Sequence, residues 1–201
     1  MISATSSLIL ASESPRRKEL LARAGFSFEV IPVKVSETLE KNLTVEMQIQ
    51  RISEQKLTAA LAQIKPLKSQ DFFVICADTM VVHKGQALGK PANSTEAQLM
   101  LESLSGSSHQ VITAVSVAFS GQDCLKVKHD LEITCVRFRK LQKNEISTYV
   151  QSGAPMDKAG AYGIQGEARK FILHVDGSYT NVVGLPLELT ARLLQEIGYT
   201  K

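Results

Sequence analysis

The sequence is short of most features that announce a function at first reading. It holds three cysteines, Cys76, Cys124 and Cys135, an odd number without CxxC spacing, two of them inside apolar, strand-like runs. A disulfide framework is not expected from that pattern; buried, reduced thiols of a cytosolic protein are. No apolar stretch approaches eighteen residues and no cationic segment precedes a long apolar core, so neither a membrane span nor a secretory signal is expected. The positive excess is only +3, too little for a uniformly basic nucleic-acid binder but compatible with a local pocket for a small anion. His83, His109, His129 and His174 lack metal-ligand spacing, no serine sits in a nucleophile elbow, and neither a Walker P-loop nor GxGxxG is present. Zinc chemistry, a serine triad, a kinase and a dehydrogenase all lose support.

What is there reads as one α/β domain over residues 1–201, with room for two lobes: 44% of residues are hydrophobic, 21% are charged, and no repeat or low-complexity linker interrupts them. Leu8–Ala11 is a short buried strand, and Ser14-Pro15 reads as an N-cap followed by proline at the first helical position, with Gly25 closing the helix. Phe28–Val33 alternates as a strand, and a polar connection, Ser36–Asn42, carries Glu37. A long helix follows from Thr44 to Ile64. Phe72–Ala77 is a strand ending at Asp78-Thr79, after which Met80–Val82 resumes and Lys84-Gly85 turns a hairpin. Asn93 with Glu96 forms a capping-box pattern ahead of Ala97, Met100, Leu101 and Leu104 on one helical face. His109–Phe119 and Leu125–Phe138 make a hairpin, Gln142–Gln151 a helix, Asp157–Gly166 an irregular loop, Phe171–Val175 a strand, and Gly184-Leu185-Pro186 opens a last amphipathic helix.

Four stretches resist a purely structural account. In LILASESPRRKELL three cations crowd the first turn of a helix, the end that repels cations, whereas a strand feeding a helix through two serines suits a phosphate; solvated surface arginines are the plain alternative. Lys56 falls on the apolar stripe marked by Ile49, Ile52 and Ala60, so it either snorkels or meets a buried anion. Asp78, at the end of the most apolar strand, either binds a metal or accepts a proton from water, or else hydrogen-bonds a turn. Gln165, in a loop with three glycines, offers a donor and an acceptor to the edge of a base, unless the loop is merely an awkward surface segment.

Taken in order, Ser12-Glu13-Ser14-Pro15-Arg16-Arg17, Glu37, Glu54-Gln55-Lys56, Ala77-Asp78-Thr79, Gly89-Lys90-Pro91, Leu104-Ser105-Gly106 with His109-Gln110-Val111, Asp157–Gly166 and Asn181–Pro186 resemble the Maf family of nucleoside triphosphate pyrophosphatases, once described as septum-formation inhibitors. The resemblance implies a large twisted mixed β-sheet flanked by helices with a deep cleft, similar to inosine triphosphate pyrophosphatase. It implies hydrolysis between the α- and β-phosphates with a divalent cation, Mg or Mn. Asp78 takes the catalytic position and shares the metal with Glu37; Ser12, Arg17, Lys56 and Lys90 take phosphate-binding positions. Arg16, Thr79 and Gln165 look like the type acting on dTTP and UTP, where the 7-methyl-GTP type carries Trp, Gln and Glu. The alternatives are that 7-methyl-GTP type and a nucleotide-binding regulator of cell division. The implied partner is the nucleotide, without nucleic acid or membrane, in a cytoplasmic protein; relatives of this type are often dimers, and a homodimer is expected. Two departures stand out: Glu13 occupies a slot that is usually small or neutral, and Ala168-Arg169-Lys170 replaces a more glycine-rich, apolar stretch.

Overall fold

The computed structural model describes residues 6–36, 42–67 and 70–201. Its strands are β1 (Ser7–Leu10), β2 (Glu29–Val30), β3 (Phe72–His83), β4 (Gln86–Leu88), β5 (Ser108–Ser120), β6 (Leu125–Phe138) and β7 (Ile172–Asp176). The helices are α1 (Pro15–Arg23), α2 (Val45–Ile64), α3 (Ser94–Leu104), α4 (Lys143–Gln151), α5 (Tyr179–Val183) and α6 (Leu187–Glu196). The strands form one mixed sheet in the order β2-β1-β3-β5-β6-β7, with β4 on β3; β1 is parallel to both β2 and β3, whereas β3–β4 and β6–β7 are antiparallel. The mixed sheet and its flanking helices are the architecture expected from the sequence. Among the described residues no helix is long and apolar enough to cross a membrane.

The chain divides into two compact units. The first, residues 1–78, 113–132 and 184–201, holds α1, α2, α6 and the beginning of β3. On one face of its sheet Phe72, Val74 and Cys76, alternate residues of β3, pack with Leu57, Ala60 and Ile64 of α2. The second unit, residues 79–112 and 133–183, holds α3, α4 and α5. Ala97, Met100, Leu101 and Leu104 of α3 pack there with Val81, Phe138, Tyr149, Tyr162 and Phe171.

Several elements differ from the sequence reading. β3 does not stop at Asp78; it runs unbroken to His83. The aspartate costs the ladder nothing because β pairing uses the backbone, and the apolar residues on both sides keep the strand buried. β2 shrinks to two exposed residues. At the start of α3 Asn93 does cap the Glu96 N–H at 2.9 Å, but the Glu96 carboxylate takes the N–H of Ala92, so the box closes one residue early. Only Cys76 is a buried thiol; Cys135 is half-buried and Cys124 exposed at the β5–β6 hairpin.

Candidate active site

The first unit gathers five polar side chains around the ends of β1 and α1. Ser14 has the extended backbone of an N-cap and accepts the Arg17 N–H at 3.4 Å, while Pro15 starts the helix without an N–H to lose. Ser12, buried just past β1, accepts the Ser14 N–H at 3.2 Å and Arg17 Nη1 at 3.3 Å. Arg17 also donates from Nε to the Gly184 carbonyl at 2.7 Å, so its guanidinium is fixed at two points although it sits in the first turn of a helix. Leu10 lies level with Ile75 in the parallel register, and continuing that register brings Ser12 level with Ala77, one residue before Asp78.

Asp78 is where the sequence left two questions that answer each other. It shares its face of β3 with Val74 and Cys76, the face covered by α2, and there Lys56 Nζ meets its Oδ1 at 2.5 Å. Both side chains are largely out of water, at 12% and 10% exposure, so the lysine on the apolar stripe does not snorkel. Cys76 lies in the same neighbourhood: burial pushes its thiol up to about 12, against the opposing pull of the Lys56 and Arg17 charges. Both cations therefore act on the strand that carries Asp78.

The remaining expected residues fall elsewhere. Arg16 is half-buried beside Arg17 in the first turn of α1. Glu13 points outward to an exposed pair with Lys34 at 3.4 Å, so its departure from the family pattern leaves the Ser12–Arg17 contacts intact. Glu37 lies outside the described residues. Thr79 follows Asp78 in β3, and strand alternation sends its side chain to the opposite face.

Within the second unit Lys90 is exposed in the Gly89-Lys90-Pro91 loop, whose Gly89 carbonyl accepts the Gly160 N–H at 3.0 Å. That bond joins the Lys90 loop to the glycine-rich loop carrying half-buried Gln165. Gly160 has φ +65, and a Cβ there would stand 2.9 Å from Val81 Cγ1, so both its backbone and its lack of a side chain are required. Tyr162, two residues on, is buried and bonds His109 Nε2 at 2.7 Å, with Phe138 edge-on to both rings. Sequence reading passed over His109 and Tyr162 as supports of this loop; their inward positions in an apolar run and a glycine-rich run were the signal that pointed to them. It also missed the Gly184 carbonyl as the anchor of Arg17, a contact across 167 positions that no local pattern encodes.

Residues 7–197, nearly the whole chain, match the family described as Maf-like protein. The chain belongs to the Maf family. A Maf protein of Bdellovibrio bacteriovorus named dTTP/UTP pyrophosphatase is 52% identical over 94% of this chain and 97% of its own. Proteins of the same name from Bacillus pumilus and Cupriavidus metallidurans are each 44% identical over 96% of this chain, and over 97% and 98% of theirs. Among solved structures, a nucleoside-triphosphatase / dITP/XTP pyrophosphatase from Mycobacterium abscessus is 11% identical, covering 95% of this Maf chain and 94% of its own, with a TM-score of 0.34; a likeness that loose carries no weight of its own.

Proposed function

We propose that this Maf protein hydrolyses dTTP and UTP to the nucleoside monophosphate and pyrophosphate in the cytoplasm, residues 1–201 serving as a single catalytic domain. The name carried by relatives 44–52% identical supports the substrate class. The observation that carries the chemistry is the desolvated Lys56–Asp78 pair, on the strand level with the Ser12–Arg17 anion site.

Phosphoryl transfer depends on position and on neutralising charge more than on covalent help. Arg17, held by Gly184 and Ser12, offers a guanidinium whose orientation is set before the ligand arrives, and the dipole of α1 places partial positive charge at the same end of the helix. Lys56 brings a second cation, and Lys90, on a loop pinned through Gly160, a third. Asp78 is the base that orients the attacking water and takes its proton, while Lys56 holds the carboxylate on the α2 face of β3. Arg16, Thr79 and Gln165 supply polar matching for the carbonyl and N–H edge of a pyrimidine, a kind of recognition that rejects a mismatched base strongly when buried.

The donor set fits magnesium or manganese. Asp78 presents hard carboxylate oxygens, the donor type that magnesium and manganese take, and magnesium is commonly held by one or two carboxylates with water and substrate phosphates completing its shell. Asp78 and Glu37 would hold the ion, which supplies neutralisation of the phosphate oxygens. The test is pyrophosphate release from a panel of nucleoside triphosphates with each metal: dTTP and UTP should lead, and a lead by 7-methyl-GTP would overturn the role given to Arg16, Thr79 and Gln165.

A further inference from the structure

The glycine-rich loop carries a lysine that neither the phosphate site nor the base edge has used. Lys158 is only 18% exposed, and its Nζ donates to the Ala154 carbonyl at 2.7 Å and to Asp157 Oδ1 at 2.5 Å. Ala154 lies just past the end of α4, so the ammonium ties the loop to that helix. The backbone of Lys158 is held as well: its N–H reaches the Pro155 carbonyl and its own carbonyl accepts the Ala161 N–H, each at 3.1 Å.

The stem of the side chain matters as much as its head. A Cβ on Gly163 would stand 3.0 Å from both Cδ and Cε of Lys158. Unlike Gly160 and Gly166, Gly163 stays outside the left-handed region, so its backbone conformation does not call for glycine. The lysine methylenes fill the space that a side chain would take there. Fixed at Cα and at Nζ, that stem cannot swing clear of a methyl group on residue 163 without giving up its bonds. Beyond Gly163 comes Ile164, buried at 2% exposure, then half-buried Gln165, then Gly166 with φ +83. Lys158 thus straps the segment that carries Gln165. In a nucleotide hydrolase a lysine is ordinarily read as one more phosphate ligand, but here its charge is already met by a carboxylate and a carbonyl.

We propose that Lys158 is a positioning residue for base selection: lying across Gly163 and bonded to Ala154, it fixes the segment that presents Gln165 to the pyrimidine edge. This rests on the dTTP/UTP reading above and adds to it a residue that does not touch the substrate. The test measures kcat and KM for UTP, dTTP and 7-methyl-GTP in the full chain as wild type, Lys158→Ala, Lys158→Met, Gly163→Ala and K158A/G163A. Lys158→Ala should raise KM for UTP and dTTP about 10-fold, leave kcat within about 2-fold, and cut the preference for UTP over 7-methyl-GTP about 10-fold. Lys158→Met keeps a stem over Gly163 but loses both bonds, and should shift the same quantities by about 3-fold. Gly163→Ala should lose the preference in the wild-type background, where the methyl displaces the stem, and change nothing further in K158A, where the methyl has room. Circular dichroism melts accompany each variant, because lost stability alone lowers turnover of every substrate by one factor and leaves the ratio in place. A wild type without a preference for UTP and dTTP would overturn the substrate reading and this inference with it. A wild type with that preference, and Lys158 variants that keep it while losing turnover of every substrate alike, would make Lys158 a phosphate ligand and overturn this inference alone. So would an undiminished effect of Gly163→Ala in the K158A background.

Discussion

The Lys56–Asp78 contact yields a quantitative expectation that can be separated from catalysis. Lys56→Met removes the cation and leaves a carboxylate that is 10% exposed facing a thioether. Breaking a buried ion pair by removing one member costs about 3–5 kcal/mol, and since each side chain keeps a little solvent the lower end, about 3 kcal/mol, is expected. In a chain this long that lowers Tm by about 6–12 °C. Asp78→Asn leaves a buried ammonium facing an amide that still accepts a hydrogen bond, so its loss should be smaller, about 2 kcal/mol. The double variant, K56M/D78N, contains neither ion and should regain more than half of the summed losses, because replacing both members of such a pair is close to neutral. Urea unfolding of the four proteins at pH 7 measures the cycle. Summed single losses that equal the double loss within about 0.5 kcal/mol would mean that the two groups do not interact, and the reasoning would fail.

Other expectations follow from neighbouring features. His109 is held to a pKa of about 4 by burial and, less, by the neighbouring His83 ring, against the 6.5 of the free side chain. The unfolded chain therefore takes up a proton at 6.5 that the fold refuses until about 4, so this contribution to stability is complete above pH 6.5 and is lost as pH falls, by about 3 kcal/mol at pH 4. His109→Gln should flatten that slope in a pH series of urea melts, and an unchanged slope would assign it to other groups. Gly160→Ala, which sets a methyl 2.9 Å from Val81 at φ +65, should cost about 2–4 kcal/mol of stability and raise KM more than it lowers kcat through the displaced Lys90 loop. Arg17→Lys keeps the charge but loses the fork that reaches both Gly184 and Ser12; kcat/KM should fall about 10- to 100-fold, and an unaffected enzyme would remove Arg17 from the phosphate site.

Much of the fold was legible because its signals are local. Ser14-Pro15 names a helix start, Lys84-Gly85 a tight turn, and the spacing of Ala97, Met100, Leu101 and Leu104 a buried face. The errors fall where long-range structure decides. Asp78 looks like a strand end to a reader who cannot see that a lysine 22 positions earlier neutralises it within the sheet's cover. The turn at Glu167–Phe171 and the five residues of α5 are too short to show a period, and β2 kept only the two residues that β1 could pair. For the site, residue types and order were readable, whereas Arg17 reaching Gly184 and Gly160 reaching Gly89 depend on tertiary closure.

The continuity of β3 places an unusual restriction on how this protein can change. Asp78 faces α2 only because it stands an even number of residues from Phe72, Val74 and Cys76, and Thr79 faces away because it is one residue further along. Inserting or deleting a single residue between Phe72 and Asp78 would turn the carboxylate through the sheet and bring a neighbour against Lys56. Apolar exchanges along this strand can be absorbed by repacking, but a change of length cannot. Among descendants of this sequence β3 should therefore vary in composition and hold its residue count, and a random-indel library selected for turnover should be empty between residues 72 and 78.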